Sequence, residues 1–392
     1  MRVRVVVGTA LLAAAAPAPA AAGTSAWFSK PSLAPGTIAQ LNVRGAGRVN
    51  VQIFHVGAET YPTTREGTLD GLPVTAPLTV PVRNGSVRVP IEYWSSGFYY
   101  ARIKGRGTCF APFVLSASRL GESRVAVVEP TNTWQAYNNF DGQSWYYGGG
   151  ETVSLDRPYL NHGVPRHFRN YDLGFIRWLA RTHKAVDFLS DDDLEHLFSG
   201  GRLHRRYDLI VFPGHEEYVT RHVYDLITQY RDDGGNLMFL SADNFFYRVV
   251  RSGDSITRSG RWRDLGRPEA ALVGTQYVNW NEGKFPNRPF EVVGARTAPW
   301  LFAGTGLRNG SRFGTYGIEI DARTAESPAG TRVLARIENA FGPGVSAEMT
   351  YYETAAGAKV FAAGVMNFGG TSLVPAVSQM LENLWQRLAA VT

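Results

Sequence analysis

From Trp27 to about Ala117 the chain consists of short β-rich runs separated by Gly, Pro and Asn turns. Residues 38–43, 49–54, 86–91, 97–103 and 110–115 read as strands. No stretch among them has a helical period, so the spacing predicts an antiparallel sandwich of immunoglobulin-like type. Beyond Arg124 the pattern changes. Residues 124–130 carry a continuous apolar run of the kind buried on both faces of a parallel sheet. Residues 175–180 have helical spacing, and 185–189 and 207–214 read as further strands. Residues 219–233 predict an amphipathic helix stopped by Gly234-Gly235, and 236–240 a fourth strand. This β-α-β-α order predicts a doubly wound, mostly parallel, three-layer α/β domain whose ligands sit beyond the carboxyl ends of its strands. Residues 254–346 read as a long, loop-rich insertion. Strands at 347–352 and 359–363 and a helix from about Ser372 then complete the domain. The expected division is a β-sandwich over 23–119 and an α/β domain over 120–392, without internal repeats.

The first 22 residues stand apart. Arg2 and Arg4 precede an apolar stretch that ends in Ala20-Ala21-Ala22, the layout of a signal peptide cut near Ala22–Gly23. Pro17 and Pro19 keep the stretch short of a membrane span. The expectation is a soluble protein, secreted or periplasmic, with no membrane partner. Apolar residues make up 44% and charged residues 19%, as in a globular chain. The formal charge of +6 is dispersed and includes Arg2 and Arg4, and no basic run accompanies it, which argues against nucleic acid as a partner. A single cysteine, Cys109, rules out an intrachain disulfide framework and a Cys-based zinc cluster. It lies in the sandwich, and Ser144 lacks a nucleophile elbow, so neither reads as a nucleophile.

Three segments fall where strands run out into loops: 132–137, 142–146 and 214–218. They place Tyr137, Tyr146, His215 and Glu217 where one crevice could gather them. Aromatic packing accounts for the two tyrosines equally well. Glu216 reads as acidic charge at a helix start. Asp191-Asp192-Asp193-Leu194-Glu195-His196 reads as a capped first helical turn and not as a metal cluster. His162 and His167 read as surface histidines.

The ordered series Asn132-Thr-Trp-Gln-Ala-Tyr-Asn138, Gly142-Gln-Ser-Trp-Tyr146, Arg157-Pro158, Asp193-Leu194, Pro213-Gly-His-Glu-Glu-Tyr218 and Gly234-Gly-Asn-Leu-Met-Phe-Leu240 is followed by Asn244. Pro268-Glu-Ala-Ala-Leu-Val-Gly274 and Met349-Thr-Tyr-Tyr-Glu-Thr354 complete it. Together these motifs resemble the carboxy-terminal domain of the N,N-dimethylformamidase large (beta) subunit family, over roughly residues 120–390. The resemblance implies an amidohydrolase with a mononuclear ferric ion held by two tyrosines and a glutamate. On this chain those positions fall on Tyr137, Tyr146 and Glu217, with Tyr147 or Tyr159 as alternatives for the second tyrosine. His215 matches the neighbouring histidine, Asn244 a polar site residue, and Glu353 the acid credited with base or nucleophile work. The family's site lysine has no counterpart, and Arg258 stands in its region. Two phenolates and a carboxylate are hard donors whose three charges balance a trivalent ion, and three protein ligands leave room for water and a carbonyl.

The leading expectation is therefore an exported, metal-dependent hydrolase of a small amide or similar C–N bond. The competing one is a non-catalytic, secreted ligand- or carbohydrate-binding protein on the same scaffold. A glutamine-amidotransferase-like chemistry is excluded, because His215 follows Gly214 where a nucleophilic cysteine would stand. The oligomeric state is left open.

Overall fold

In the first strands buried and solvated positions alternate. Ala39, Leu41 and Val43 turn inward on Ile38–Arg44, as do Val49, Val51 and Ile53 on Arg48–His55. A period of two gives each strand one apolar face, and two such sheets close on each other. Ser25–Phe28, Ile38–Arg44 and Ser86–Pro90 form the smaller sheet. Arg48–His55, Gly97–Gly105 and Gly107–Leu115 are the long strands of the larger one. These elements belong to a computed structural model that describes residues 23–60, 65–146, 150–197 and 203–389. The predicted leader and Tyr147 lie outside the described residues.

The continuous apolar runs pair in parallel. Asp187–Ser190, Val125–Glu129, Leu209–Phe212, Asn236–Phe239 and Lys359–Ala362 lie side by side in that order. Alternate residues enter different cores. Val125, Val127, Leu209, Val211 and Met238 pack with the helices Leu173–Arg181 and Pro375–Leu388. Ala126, Val128, Ile210, Phe212 and Leu237 pack with Arg221–Asp232. The protein is thus mixed α/β, rich in sheet, with helices on both faces of the parallel strands.

Two expectations need correction. Residues 254–346 are not mainly loop: beyond Ala347–Glu353, which pairs antiparallel with Lys359–Ala362, the strands Arg332–Ile337, Arg288–Val292 and Arg312–Tyr316 add on in antiparallel pairing and bring the sheet to nine strands. Their pattern is hard to read because these strands carry exposed arginines and register shifts at Val333/Ala335 and Arg288/Phe290, which break the period of two. The helix expected at 219–233 begins at Arg221. Tyr218–Thr220 forms a short strand first, and the Thr220 hydroxyl then accepts the Val223 N–H at 3.2 Å as an N-cap. The capped turn at 191–196 is as expected: Ser190 and Asp193 form a reciprocal capping box.

The amino-terminal sheets buttress the parallel sheet beneath the loops at its carboxyl end. Phe98 packs on Trp134 and Phe168, with ring centroids 5.9 and 4.6 Å away. Trp134 lies on the helix Thr131–Ala136, all of whose residues are buried. Glu59 of the first unit and Arg177 of the second form a buried ion pair, Nε to Oε1 3.4 Å. Arg177→Met leaves Glu59 unpaired away from water and should cost about 3–5 kcal/mol, whereas Arg177→Met with Glu59→Leu should recover most of it. Urea unfolding of the three proteins checks this; a single variant as stable as the wild type would show that the pair does not hold the units together.

Candidate metal centre

Three strand ends place the core of the site. Val125–Glu129 runs into the helix Thr131–Ala136, and Tyr137 is its C-cap. Leu209–Phe212 runs into residues 213–217, where Gly214 passes so close to Asp172 that a Cβ would overlap its Oδ1. The Thr133 hydroxyl on that helix accepts the Glu217 N–H at 3.1 Å, and so ties the two strand ends together. Asn236–Phe239 runs into a turn whose Asp243 and Phe245 take left-handed φ of 56° and 59°. That turn is held by Phe245 N–H on the Glu216 carbonyl (2.6 Å) and by Asp243 N–H on the Asp321 carboxylate (2.8 Å).

These strand ends converge on Glu217. Its carboxylate accepts the Tyr137 hydroxyl at 2.9 Å on Oε2 and the Tyr146 hydroxyl at 3.0 Å on Oε1. The two phenol rings stack, centroids 4.2 Å apart. Tyr146 also shares a hydrogen bond with the Tyr218 hydroxyl. His215 Nε2 lies 3.2 Å from Glu217 Oε2, and 3.7 Å from both Asp243 Oδ2 and Glu319 Oε2. The cluster therefore holds three phenols, three carboxyls and one imidazole. Among the described residues no lysine or arginine pairs with any of the three acids.

Such a set is electrostatically incomplete. Burial pushes the Glu217 carboxyl above the usual range, although His215 and the tyrosine hydroxyls pull it back. Burial raises Asp243 much further, reinforced by Glu217 and Asp321, and raises Glu319 with Asp243 adding to the effect. Asp321, behind them, is pushed up to about 7 by burial. Burial and then the Glu217 charge hold the phenols of Tyr137 and Tyr146 far above the ordinary value. His215 Nε2, Asp243 Oδ1 and Glu319 Oε2 are buried without a hydrogen-bond partner. Oxygen donors aimed at one another with orphaned atoms between them suit a bound hard cation, and His215, Glu217 and Asp243 each offer a ligand atom within 4.8 Å of the others.

The family model for N,N-dimethylformamidase beta subunit-like proteins, carboxy-terminal part, matches residues 82–373. The chain belongs to this family. It is 25% identical to the N,N-dimethylformamidase beta subunit of Paracoccus aminophilus over 317 residues, 61% of this chain and 41% of that protein. It is also 25% identical to the N,N-dimethylformamidase beta subunit of an Alcaligenes species over 308 residues, 59% and 39% of the two chains. The chain thus spans about two fifths of the length of these curated relatives. The mmIFT52 N-terminal domain superimposes with a TM-score of 0.33 at 12% identity, over 53% of this chain and 86% of that one, too low to bear on the fold.

In this N,N-dimethylformamidase beta subunit-like chain Tyr137, Tyr146, His215 and Glu217 come together. Tyr159 does not join them; it is packed edge-on against Trp134. Asn244 is buried beside Asp243, but its amide donates to the Ser241 carbonyl and makes no bond to the cluster. Glu353 requires correction. Ala347–Glu353 runs antiparallel to Lys359–Ala362, with Glu353 opposite Lys359, so its end lies at the amino ends of the parallel strands, across the sheet from the site. There Glu353 accepts bonds from Tyr351 and Arg387. Glu216 is also corrected: it is buried, not a solvated charge at a helix start. The residues that sequence reasoning missed are Asp243, Tyr218 and Glu319. Asp243 lies three residues beyond the end of the predicted strand 236–240, a signal that was available. Glu319 belongs to Glu319–Ala322 within the supposed insertion and carried none.

For each of the three acids the folded-state pKa lies above that of the unfolded chain, so protonation favours the fold. Stability of the metal-free protein is lowest above the raised values and grows as pH falls through them toward the ordinary carboxylate range. Glu129, Asp172 and Glu216, buried nearby and also raised, contribute with the same sign. Thermal unfolding of the metal-free protein should therefore shift upward as the pH is lowered through an interval around 7, the value to which Asp321 is pushed. Asp243→Asn and Glu319→Gln should each flatten the rise. A melting temperature that falls steadily over that interval would contradict the electrostatics described.

Proposed function

We propose that this is an exported metal-dependent hydrolase of an amide or similar C–N bond, with a mononuclear ferric ion held by Tyr137, Tyr146 and Glu217. The observation that carries the reading is the convergence of two phenol hydroxyls on opposite oxygens of one buried carboxylate. Family membership and the names of the two relatives supply the reaction class. The basic, apolar and small-residue order of residues 1–22 supports export. When bound, a ferric ion would act as a Lewis acid toward the amide oxygen.

The chain's own groups do the rest. His215 lies between Glu217, Asp243 and Glu319 and offers its Nε2 to whichever carboxylate is charged. Asp243 and Glu319 each face the same imidazole nitrogen at 3.7 Å. The Glu319 side chain keeps 17% exposure, against 2% for Glu217 and 4% for Asp243, so of the three acids it lies nearest the open side of the cluster. We assign to Glu319 the proton transfer that the family resemblance had placed on Glu353. It takes a proton from the attacking water and returns it to the leaving nitrogen.

Glu319→Gln keeps the side-chain shape and cannot accept that proton. Hydrolysis of formamides by the metal-loaded variant should fall by about 10²–10⁴-fold, with metal content unchanged. Glu353→Gln should keep wild-type turnover and lose stability through its contact with Arg387. The opposite pattern, turnover lost with Glu353 and kept with Glu319, would overturn the assignment.

A further inference from the structure

Beside the metal centre an arginine is held in place without a partner. Arg258 lies on Ser255–Arg261, two residues beyond the buried Ile256 and so on the same face, and is paired with the buried Val249 of the neighbouring strand. That face carries Trp145, Tyr218 and Val249. The guanidinium carbon stands 5.0 Å from the centroid of the Tyr247 ring and 5.7 Å from that of Trp145. Both rings pack on Tyr218, at 5.4 and 4.6 Å. Tyr218 shares its hydroxyl with Tyr146, the member of the cluster with 42% of its surface in water. One aromatic layer therefore separates the guanidinium from the metal-centre hydroxyls, on the side where Tyr146 is open.

Three arginines of this strand pair and the turn after it are neutralised, while Arg248, on the opposite face from Val249, makes no ion pair among the described residues and keeps its Nε buried without a hydrogen-bond partner. Arg251 pairs with Asp192, Arg261 with Asp264 and Arg263 with Glu269. The Arg258 guanidinium forms no ion pair and donates no hydrogen bond among the described residues. Its five donors are free of protein partners, and two aromatic rings flank it. A guanidinium fork in this state matches a carboxylate, which it can grip with two parallel hydrogen bonds.

We propose that Arg258 binds a carboxylate on the substrate, so that the preferred substrate is an N-acyl amino acid and not a small neutral amide. This rests on the hydrolase reading above. The scissile carbonyl lies at the cluster of Tyr137, Tyr146 and Glu217, and the carboxylate, two bonds beyond the amide nitrogen, reaches Arg258 past Tyr146. Water adds to the acyl carbon, the C–N bond breaks, and one water proton ends on the amine that leaves. The products are the free acid and the amino acid, and the carboxylate on Arg258 is unchanged.

Turnover of N-formylglycine and N-methylformamide by the metal-loaded protein tests this. The ratio of their kcat/KM values should favour N-formylglycine by at least about 10-fold, and Arg258→Gln should lower that ratio by about 10- to 100-fold, the usual loss of a charged hydrogen-bonded contact. Arg258→Lys should restore part of it. Calorimetric titration with levulinate, a ketone isostere of an N-acyl amino acid that cannot be hydrolysed, reads the contact without turnover, and its Kd should rise about 10-fold or more in Arg258→Gln. A ratio unmoved by Arg258→Gln, with only a lower melting temperature, would overturn the proposal and leave the hydrolase reading standing. If the wild type turns over neither amide, the hydrolase reading fails. Levulinate binding that weakens in Arg258→Gln then still supports the carboxylate site, and equal or absent binding overturns it.

Discussion

A carboxylate removed from water is the constraint around which this protein is arranged. Glu217 is 1% exposed, and its two oxygens are taken up by Tyr137 and Tyr146, with His215 alongside. A buried charge is expensive unless paired and hydrogen-bonded. Here the neighbours that would otherwise relieve it include two further acids, so hydrogen bonds from phenols moderate the cost without removing it. In the proposed function a cation completes the balance.

Holding that arrangement explains much of the surrounding fold. Parallel strands bring three carboxyl ends to one place, and the connections after them are short. Thr133 fixes the backbone of Glu217 from one strand end to the next. The left-handed Asp243 turn brings a second acid from the adjoining strand. Behind the helix Thr131–Ala136, Phe98 of the amino-terminal sheets packs on Trp134, so those sheets press on the element that carries Tyr137. On the outer side Trp145, Tyr218 and Tyr247 form an aromatic wall that carries the Arg258 guanidinium, while Tyr146 stays open to water. Support and chemistry are thus joined through aromatic contacts, with the buried Glu59–Arg177 pair as a second link.

How legible this was in the sequence depended on local periodicity. The parallel strands were readable because both faces are buried, which leaves uninterrupted runs such as 209–212. Tyr137, Tyr146, His215 and Glu217 were readable because they follow such runs, and because their motifs occur in a specific order. The antiparallel strands of residues 288–337 were not, since bulges and exposed arginines break their alternation. With those strands unseen, Glu319 had no strand end to sit on. The Glu353 expectation failed for a related reason. A strand end faces the site only when the strand runs parallel to its neighbours, and the direction of 347–353 is a tertiary fact that no local pattern encodes.

The central claim is that Tyr137, Tyr146 and Glu217 form one metal centre. Elemental analysis and visible absorption of the purified protein, with and without the Glu217→Ala substitution, test it most directly. The account predicts one iron per chain with a visible tyrosinate charge-transfer band in the wild type, and loss of both metal and band in the variant. A wild type free of metal after reconstitution, or a variant that keeps its iron and its colour, would contradict it.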